Sequence, residues 1–264
     1  MIAQADPLAL VAGLGAPYGV ERSIKFAPGR VLEDRYLASV HRDALGPDPI
    51  WRLRHMGRAL AMPGVVLDAL PHALEGAQII HFGWEREPGG EIFKLYFEYA
   101  EAVRAAMNAR PPRSALVHRA FKWTPGPAAA LHVTQYTWLP CRTYMEIEAH
   151  LADPAFGGSP GALCATALLR RMERCTGAGE VMVMRVEEIG NPRLSLDINL
   201  YRADLRVGAV RDLLEQAAAH LGAPMQETQA ALDRCADQPL GHLSLGLARG
   251  GEPFFTIYSG VEGR

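Results

Sequence analysis

Residues 78–99 read QIIHFGWEREPGGEIFKLYFEY, and this stretch decides the expected fold. It consists of two apolar-rich segments on either side of a Pro-Gly-Gly turn, which is typical of a β-hairpin. In the second segment, apolar and polar residues alternate along the chain. The apolar set is Phe93, Leu95 and Phe97, and the polar set is Lys94, Tyr96 and Glu98. Because successive side chains of a strand point to opposite faces, this pattern predicts a strand with one apolar and one polar face.

The same unit recurs further along the chain as pairs of strand-like segments joined by turns that contain glycine or proline. The copies are ALVHRAFKW and ALHVTQYTWL at 115–123 and 130–139, EVMVMRVEE and RLSLDINLY at 180–188 and 193–201, and GHLSLGLA and PFFTIYSG at 241–248 and 253–260. Segments with helical periodicity lie between the hairpins. We predict helices over 49–76 with a break at Pro63-Gly64, over 143–151, over 160–176 with a stop at Gly177, over 207–221, and after Pro224.

The first 75 residues are less clearly patterned. Residues 21–26 alternate like a strand and meet a Pro28-Gly29 turn. The continuation VLEDRYLASVHRD at 31–43 fits two interpretations. It is either the second strand of a fifth hairpin, or a helix that carries Leu32, Tyr36 and Val40 on one face.

Composition and strand order together indicate the fold class. The chain has 264 residues, 49% of them hydrophobic, which is enough for a sizeable core and unlike a disordered chain. No Ser- or Gly-rich linker divides it, so we expect one domain over residues 1–264. Paired strands separated by helices favour antiparallel neighbours over an eight-fold parallel barrel. We predict an α+β fold: a closed antiparallel β-barrel of about ten strands, built from hairpin repeats and surrounded by α-helices.

Charge, hydropathy and cysteine spacing exclude several classes of protein. The 27 basic and 29 acidic residues lack the basic excess that nucleic-acid binding needs. No apolar run reaches the roughly 18 residues of a membrane-spanning helix, and no basic residue precedes the apolar N-terminal stretch, so we expect neither a membrane partner nor a signal peptide. The four cysteines form no CxxC pair, which argues against structural zinc and a disulfide framework. We expect a monomeric, cytoplasmic protein with reduced thiols.

The second strands of four hairpins share a local pattern of a polar residue, any residue and a tyrosine. The copies are Lys94-x-Tyr96, Thr134-x-Tyr136, Asn199-x-Tyr201 and Thr256-x-Tyr258. If helices cover the apolar faces, these polar faces line a wide, hydrated interior; on an ordinary open sheet they face solvent. Phenol rings attract an allylic cation, whereas hydroxyls and ammonium groups bind diphosphate oxygens. Lys25, Lys94 and Lys122 are the cationic candidates on the same strand faces.

This repeat resembles the ABBA-type aromatic prenyltransferases, and among them most closely the cyanobactin-type peptide prenyltransferases. The resemblance extends over most of the chain and lies in ERSIKFAPGR, FGWEREPGGEIFKLYFEY and LGHLSLGLARGGEPFFTIYSG. It implies transfer of a prenyl group from dimethylallyl or geranyl diphosphate to a small aromatic acceptor or a peptide side chain, with Mg²⁺ assistance and no organic cofactor. It also implies diphosphate contacts from Lys25, Lys94, Lys122, Thr134, Asn199 and Thr256, and an allyl shield of Tyr96, Tyr136, Tyr201 and Tyr258.

The residue that accepts the acceptor's proton stays open at this stage. The peptide-modifying group tends to place a glutamate two positions after the first-strand lysine, where this chain has Ala27. Asp197 and Glu98 are our candidate catalytic carboxylates, and Glu85 is a further one; a structural pairing of Asp197 is equally open. Strand histidines, such as His81 and His118, are typical structural residues and become functional candidates only if they converge.

Two other classes of function compete with prenyl transfer. A non-catalytic β-barrel that binds a small ligand would use the same interior, and a helix-covered open sheet would have no enclosed site. The sequence lacks a DDxxD cluster, which disfavours the all-helical isoprenyl synthases. It also lacks GxGxxG, GxxxxGK[ST], HExxH and GxSxG, the signatures of dinucleotide, P-loop, metalloprotease and hydrolase sites.

Overall fold

The structure is a computed structural model that describes residues 6–126, 130–173 and 181–263. Its strands are β1 (Gly19–Ala27), β2 (Arg30–Leu32), β3 (Arg35–His41), β4 (Ile79–Glu87), β5 (Gly90–Glu98), β6 (Ala115–Trp123), β7 (Leu131–Leu139), β8 (Met182–Glu188), β9 (Asn191–Asn199), β10 (Leu240–Leu247) and β11 (Pro253–Gly263). Its α-helices are α1 (Pro7–Ala12), α2 (Pro49–Ala59), α3 (Gly64–Leu74), α4 (Ala100–Asn108), α5 (Tyr144–Leu151), α6 (Pro160–Met172), α7 (Arg211–His220) and α8 (Met225–Cys235).

Among the described helices, none has the length and apolar character to cross a bilayer. The predicted helix stop at Gly177 lies outside the described residues, as does Cys175.

The strands of the described residues form one hydrogen-bonded sheet in the order β11-β10-β9-β8-β7-β6-β5-β4-β3-β1-β2. Strand β1 also pairs with β11, so the ladder of hydrogen bonds closes on itself. Hairpin partners run antiparallel, as β4 does with β5 and β8 with β9. Closure satisfies the backbone groups that an open sheet leaves exposed at its edges. The predicted closed antiparallel β-barrel, built from hairpins and surrounded by helices, is confirmed.

Residues 31–32 and 35–41 lie in strands β2 and β3, and residues 42–45 form a short 3₁₀ helix, so the helical interpretation of the whole segment 31–43 is wrong. In β3, Ala38 lies across from Phe82 and Val40 from Ile80, and all four side chains are buried in one apolar core. Burial at every second residue is the signature of a strand. Tyr36 lies two residues before Ala38 on the same face, and its hydroxyl donates a hydrogen bond of 2.6 Å to the Asp6 carboxylate.

The β8–β9 connection shows how the turn residues allow a tight hairpin. Gly190 has a φ of +77°, a left-handed conformation that glycine adopts without steric cost. The connection therefore needs only Ile189 and Gly190 between the two strands. The predicted turn at this place is confirmed, although the strand resumes at Asn191, two residues earlier than the sequence pattern predicts.

The internal contacts divide the chain into two compact units. Unit 1 comprises residues 1–21, 34–136 and 261–264, and unit 2 comprises residues 22–33 and 137–260. In unit 1 the apolar strand faces pack against α2 and α3, with Leu53 and Leu70 on the helices and Phe93 and Trp123 on the strands. One domain over residues 1–264 stays a prediction.

Helix α4 is an element of unit 1 that the sequence analysis missed. Its N-cap residue is Tyr99, whose side chain makes no capping hydrogen bond. The start signals used for prediction are capping side chains such as Ser, Thr, Asp or Asn, and none precedes this helix. Burial of Val103 and Ala106 against the rest of the unit stabilises the helix in place of a cap.

In unit 2, helices α5 to α8 cover the apolar strand faces. The buried side chains that meet there include Ile147, Leu168, Leu214 and Leu232 from the helices and Ile198, Leu243 and Phe255 from the strands. The rings of Phe26 and Phe255 stack at a centroid distance of 4.6 Å. Each strand of this unit therefore turns one face to the helices and leaves its polar residues on the other.

Strand β9 has the two faces that the sequence predicts, but it is shorter. Leu196, Ile198 and Leu200 are buried in the core of unit 2, as predicted. The strand ends at Asn199, whose side-chain Oδ1 accepts a hydrogen bond from the Tyr201 amide. This local turn starts the short 3₁₀ helix Tyr201–Ala203, so the placement of Tyr201 on the strand is wrong.

Replacing Trp123 tests the core of unit 1. Its side chain is completely buried, and its Nε1 donates a hydrogen bond of 2.9 Å to the Leu60 carbonyl. We expect Trp123→Ala to lower the free energy of unfolding by about 3–5 kcal/mol in urea titrations. Trp51 is 56% exposed, so Trp51→Ala should change it by less than about 0.5 kcal/mol. Equal effects of the two substitutions would contradict the packing described.

The thiols of Cys141 and Cys164 should be poor nucleophiles in the folded protein. Burial raises the pKa of Cys141 to about 11, with a contribution from Glu146, and raises the pKa of Cys164 to about 12. Because the thiolate is the reactive form, alkylation by iodoacetamide at pH 8 should be more than about 100-fold slower than in urea, where the pKa is near 8.5. The rate should rise about tenfold per pH unit. Peptide mapping by mass spectrometry resolves each site, and rapid native labelling at pH 8 would be the contrary result.

Candidate functional site

Two lysines face each other on the polar side of the unit 1 strands. Lys94 of β5 lies directly across from Lys122 of β6. The Lys122 ammonium lies 5.9 Å from the Tyr136 ring centroid, and the Tyr136 and Tyr96 rings are also 5.9 Å apart. Like charges at directly opposed strand positions repel each other. Their pairing beside two phenols is therefore typical of a surface that binds an anion.

The Glu85 carboxylate holds two cationic side chains at the same place. Lys94 Nζ donates a hydrogen bond of 2.5 Å to Glu85 Oε2, and Arg35 lies 2.5 Å from the same oxygen. The three side chains are 11%, 8% and 6% exposed for Lys94, Glu85 and Arg35. Arg35 also lies 3.5 Å from the Glu87 carboxylate, so the two cations of this group are paired with two carboxylates.

Thr134 contributes a buried hydroxyl to the same unit. Its residue is 2% exposed, and its Oγ1 has no hydrogen-bond partner within the described residues. A buried hydroxyl without a partner costs about 1–3 kcal/mol, so such a group gains free energy when it binds a polar ligand atom. Its side chain is a further polar group on β7, two residues before Tyr136.

His81, Glu98 and His118 converge on three adjacent strands of unit 1. Both imidazoles lie within hydrogen-bond distance of the same carboxylate oxygen. Glu98 Oε2 is 3.0 Å from His81 Nε2 and 3.4 Å from His118 Nε2. The other ring nitrogen of His81, Nδ1, lies 2.7 Å from the Ser39 hydroxyl oxygen. Burial alone would raise the pKa of Glu98, but the hydrogen bonds from His118 and His81 outweigh it and hold that pKa well below its usual range. Glu98 is therefore a weak base held in its ionised form.

In unit 2 the Asp197 carboxylate orients a histidine. Asp197 Oδ1 lies 2.6 Å from His242 Nδ1, and Asn199 Nδ2 lies 3.3 Å from His242 Nε2. An ionised carboxylate only accepts hydrogen bonds, so Nδ1 carries a proton and donates it to Asp197. In the neutral ring, Nε2 then accepts from the Asn199 amide. This arrangement fixes one tautomer, with its basic nitrogen on Nε2.

Two predicted tyrosines contact this histidine. The centroids of the Tyr201 and Tyr258 rings lie 5.6 Å and 5.7 Å from that of His242. Gly241 makes room for the first of them, because a Cβ at this position would lie 2.2 Å from Tyr201 Cζ. The absence of a side chain at position 241 thus sets where the Tyr201 phenol lies.

Lys25 lies on the polar side of β1, where it approaches an aromatic ring. Its ammonium is 5.6 Å from the ring centroid of Phe254, and the Arg193 guanidinium is 5.3 Å from the same ring. Arg193 is held by a 2.9 Å hydrogen bond to the Leu247 carbonyl. Thr256, two residues after Phe254 on β11, is 2% exposed. Strands of unit 2 thus carry two cationic side chains, Lys25 and Arg193, and the buried hydroxyl of Thr256.

The structure gathers the predicted site residues into two sets. Unit 1 holds Lys94, Tyr96, Glu98, Lys122, Thr134 and Tyr136. Unit 2 holds Lys25, Asp197, Asn199, Tyr201, Thr256 and Tyr258. The side chain of Asn199, predicted to contact diphosphate, is bound to His242 and to the Tyr201 amide. The roles of all these residues stay predictions.

Sequence reasoning missed several partners of these residues, among them Arg35, Ser39 and Arg193. It also missed a signal in the composition. The chain has 27 basic residues, but only Lys25, Lys94 and Lys122 are lysines. All three lie on strand faces opposite the helix-packed core, whereas the remaining cations are arginines. Because lysine occurs only at these three positions, its distribution in the sequence could have marked them as candidate site residues without a structure.

The described residues offer one group of three side chains suited to a metal ion: His81, Glu98 and His118. Two imidazoles and a single carboxylate do not fit Mg²⁺, which prefers an octahedron of oxygen ligands. This group is therefore not the place of the implied Mg²⁺, and Mg²⁺ assistance stays a prediction.

Comparisons with known proteins agree with the architecture. No protein-family model and no curated sequence matches the chain. The structure is similar to 5-dimethylallyltryptophan synthase from Streptomyces coelicolor, with 17% identity and a TM-score of 0.61 over 91% of this chain and 80% of that one. It is also similar to the prenyltransferase PriB in complex with L-tryptophan and dimethylallyl thiolodiphosphate, with 18% identity and a TM-score of 0.60 over 91% and 79%. The fold is that of the ABBA prenyltransferases.

A third ABBA structure, AnaPT from Neosartorya fischeri, extends this similarity. It shares 12% identity, with a TM-score of 0.57 over 92% of this chain and 78% of that one. At these identities the similarity establishes the fold and not the reaction. The resemblance to the ABBA architecture inferred from the sequence is thus confirmed for the fold, and the closeness to the cyanobactin-type enzymes stays a prediction.

Replacing Gly241 tests the placement of Tyr201 without removing its hydroxyl. We expect Gly241→Ala to displace the ring and to lower the free energy of unfolding by about 1–3 kcal/mol, because the added Cβ overlaps Tyr201. Gly64→Ala is the matched control, since a Cβ there meets nothing within 4 Å. Urea unfolding of each variant gives the comparison.

A double variant separates this overlap from other causes. Tyr201→Ala removes the clashing ring, so Gly241→Ala in that background should cost much less than in the original protein. Full additivity of the two substitutions would show that Gly241 does not set the position of Tyr201.

Proposed function

We propose that the protein transfers a prenyl group from an allylic diphosphate to an aromatic acceptor. The observation that supports this most strongly is the opposed pair Lys94 and Lys122 beside the rings of Tyr96 and Tyr136. An anion between two ammonium groups relieves their repulsion, and the two phenols supply the electron-rich surface that an allylic cation needs.

The diphosphate would bind between Lys94 and Lys122 of unit 1. Lys94 and Arg35 share the Glu85 carboxylate, so a ligand phosphate that binds Lys94 does not leave Glu85 without a cation. The buried Thr134 hydroxyl is a further donor for a phosphate oxygen. Charge-assisted hydrogen bonds of this kind contribute about 1.5–3 kcal/mol each. They also stabilise the negative charge that develops as the carbon–oxygen bond breaks.

In the proposed reaction the allylic carbon–oxygen bond breaks, the diphosphate leaves, and a new carbon–carbon bond forms to the acceptor ring. Aromaticity returns when that ring loses a proton to a base. Of the two predicted carboxylates, Glu98 has a lowered pKa and is a weak base, whereas Asp197 orients His242 with its Nε2 in basic form. We propose that Asp197 positions His242 and that His242 Nε2 accepts the proton after giving up its hydrogen bond from the Asn199 amide.

The predicted residues of unit 2 keep proposed roles in substrate binding. Lys25 and Thr256 are proposed to contact phosphate oxygens, and Tyr201 and Tyr258 to shield the allyl group. Asn199 would act through His242, which its amide contacts. These roles rest on the side-chain chemistry and on the placement of Lys25, Thr256 and Tyr258 on strand faces, whereas Tyr201 lies in the 3₁₀ helix after β9.

Several finer features stay predictions. The similar structures include complexes with L-tryptophan and with dimethylallyl thiolodiphosphate, which favours dimethylallyl transfer to an indole-type acceptor as the first case to test. A peptide acceptor of the cyanobactin type, a role in peptide natural-product biosynthesis, Mg²⁺ assistance, a monomeric state and a cytoplasmic location are separate predictions.

Binding and turnover with one pair of variants test the proposal. We expect dimethylallyl thiolodiphosphate to bind in calorimetry, and Lys122→Ala to weaken binding about 10- to 100-fold because it removes one charge-assisted contact. Arg119→Ala removes a cation from the same strand on its other face and should leave binding nearly unchanged. Incubation of dimethylallyl diphosphate with tryptophan, with and without Mg²⁺, should give a prenylated product detected by mass spectrometry.

The same experiment separates the alternative functions. A ligand-binding barrel without catalysis would bind the diphosphate and release no product with any aromatic or peptide acceptor. Equal affinities of the Lys122→Ala and Arg119→Ala variants would contradict the proposed diphosphate site. No binding of dimethylallyl or geranyl thiolodiphosphate would refute the proposed function.

A further inference from the structure

We propose that His81, Glu98 and His118 bind a divalent transition-metal ion of the zinc class. The three residues occupy β4, β5 and β6, and one ligand atom from each lies within 4.8 Å of the others. Two imidazole nitrogens and a carboxylate oxygen form the donor set of many catalytic zinc sites, in which the fourth position is left to water or a ligand. This inference concerns metal binding and does not depend on prenyl transfer.

The register of the strands brings the three side chains together. Glu98 lies directly across from His118, and His81 lies across from Tyr96, two residues before Glu98 on the same face. The three groups are thus nearest neighbours on one polar face and need no long loop to meet. Ligands on rigid strands are held more precisely than ligands on loops.

Two of the distances between these atoms match a tetrahedral site. Zinc binds nitrogen and oxygen at about 2.0–2.1 Å, which places two ligand atoms of a tetrahedron about 3.3 Å apart. The observed separations are 3.0 Å from His81 Nε2 and 3.4 Å from His118 Nε2 to Glu98 Oε2. Loss of the Nε2 protons would leave both nitrogen lone pairs directed at Glu98 Oε2, so the Glu98 side chain has to shift to admit an ion between the three atoms.

Neighbouring side chains hold the two imidazoles in their orientation. A metal at His81 Nε2 requires the proton on Nδ1, and Nδ1 lies 2.7 Å from Ser39 Oγ, which can accept it. The His118 ring meets the Tyr136 ring at 5.5 Å and the Tyr96 ring at 6.3 Å, both edge to face. These contacts restrict the rotation of the imidazoles.

The donor set also selects among metals. Imidazole nitrogen suits Zn²⁺, Co²⁺ and Ni²⁺, whereas Mg²⁺ and Ca²⁺ require oxygen ligands that this group does not provide. The nearby Lys94–Glu85–Arg35 group cannot compete, since its single carboxylate is already bound to two cations. The expected ion is therefore zinc-like, with one open position on the polar face.

Titration of the untagged full chain tests the site after removal of metals with a chelator. We expect one Co²⁺ or Zn²⁺ per chain by calorimetry, with visible Co²⁺ absorption of the tetrahedral type. His118→Gln and Glu98→Gln should weaken binding more than 100-fold, and Ser39→Ala about 10- to 100-fold. His242→Ala is the matched control, because it also removes a strand histidine paired with a carboxylate, and it should bind as the original protein does.

A second measurement on the unaltered protein keeps the test decisive if a variant fails to fold. Zn²⁺ should protect His81 and His118 from diethyl pyrocarbonate, whereas His72, whose side chain is 78% exposed, should react at the same rate with and without metal. Absence of one-to-one binding, equal affinity in the His118→Gln variant, loss of binding in the His242→Ala variant, or no protection of the two histidines would each overturn the proposal.

Discussion

The strands of the closed sheet have one face in contact with helices and one face that carries polar side chains, and the rest of the structure depends on this division. One face packs against helices and is apolar, as in the cores around Trp123 in unit 1 and Phe255 in unit 2. The other face carries charged and phenolic side chains that an apolar core would exclude. Polar groups taken out of water must find partners, so the second face becomes a network of ion pairs and hydrogen bonds. The candidate functional residues are members of these networks.

The buried carboxylates of the polar faces are paired in two different ways. In unit 1, Glu85 is shared by Lys94 and Arg35, and Glu98 is shared by two imidazoles. In unit 2, Asp197 has one principal partner, His242, whose second nitrogen accepts from the Asn199 amide. Shared carboxylates fix the geometry of cations, whereas a carboxylate with one imidazole fixes a tautomer. The first arrangement suits binding of anions or metals, and the second suits proton transfer.

Local pattern was enough to predict most of the fold. The hairpin at 78–99 has strong alternation and a turn with glycines, and its strands Ile79–Glu87 and Gly90–Glu98 lie where the sequence puts them. The segment 31–43 stayed ambiguous because its apolar residues fit both periods, and contacts of Ala38 and Val40 with β4 decide for a strand. Helix α4 lacks a capping residue, and the strand end at Asn199 depends on a side-chain turn, so neither could be derived from periodicity.

The candidate site could be predicted only as far as strand faces. Alternation indicates that Lys94, Tyr96 and Glu98 share a face, but it does not give the register of the neighbouring strand. That register places Lys122 opposite Lys94 and His118 opposite Glu98. The convergence of His81 with His118 and the sharing of Glu85 are consequences of pairing between strands. Such contacts depend on the tertiary structure, and the sequence pattern of one strand carries no information about them.

The distribution of lysine has a practical consequence for handling this protein. Arginine supplies nearly all of its positive charge, and the three ε-amino groups belong to Lys25, Lys94 and Lys122. Reagents that couple through primary amines will therefore attach to the α-amino group or to these strand positions. Immobilisation on an amine-reactive sensor chip, or crosslinking with an N-hydroxysuccinimide ester, would block the very groups whose ligands are sought. Attachment through carboxyl groups or an added tag avoids that artefact.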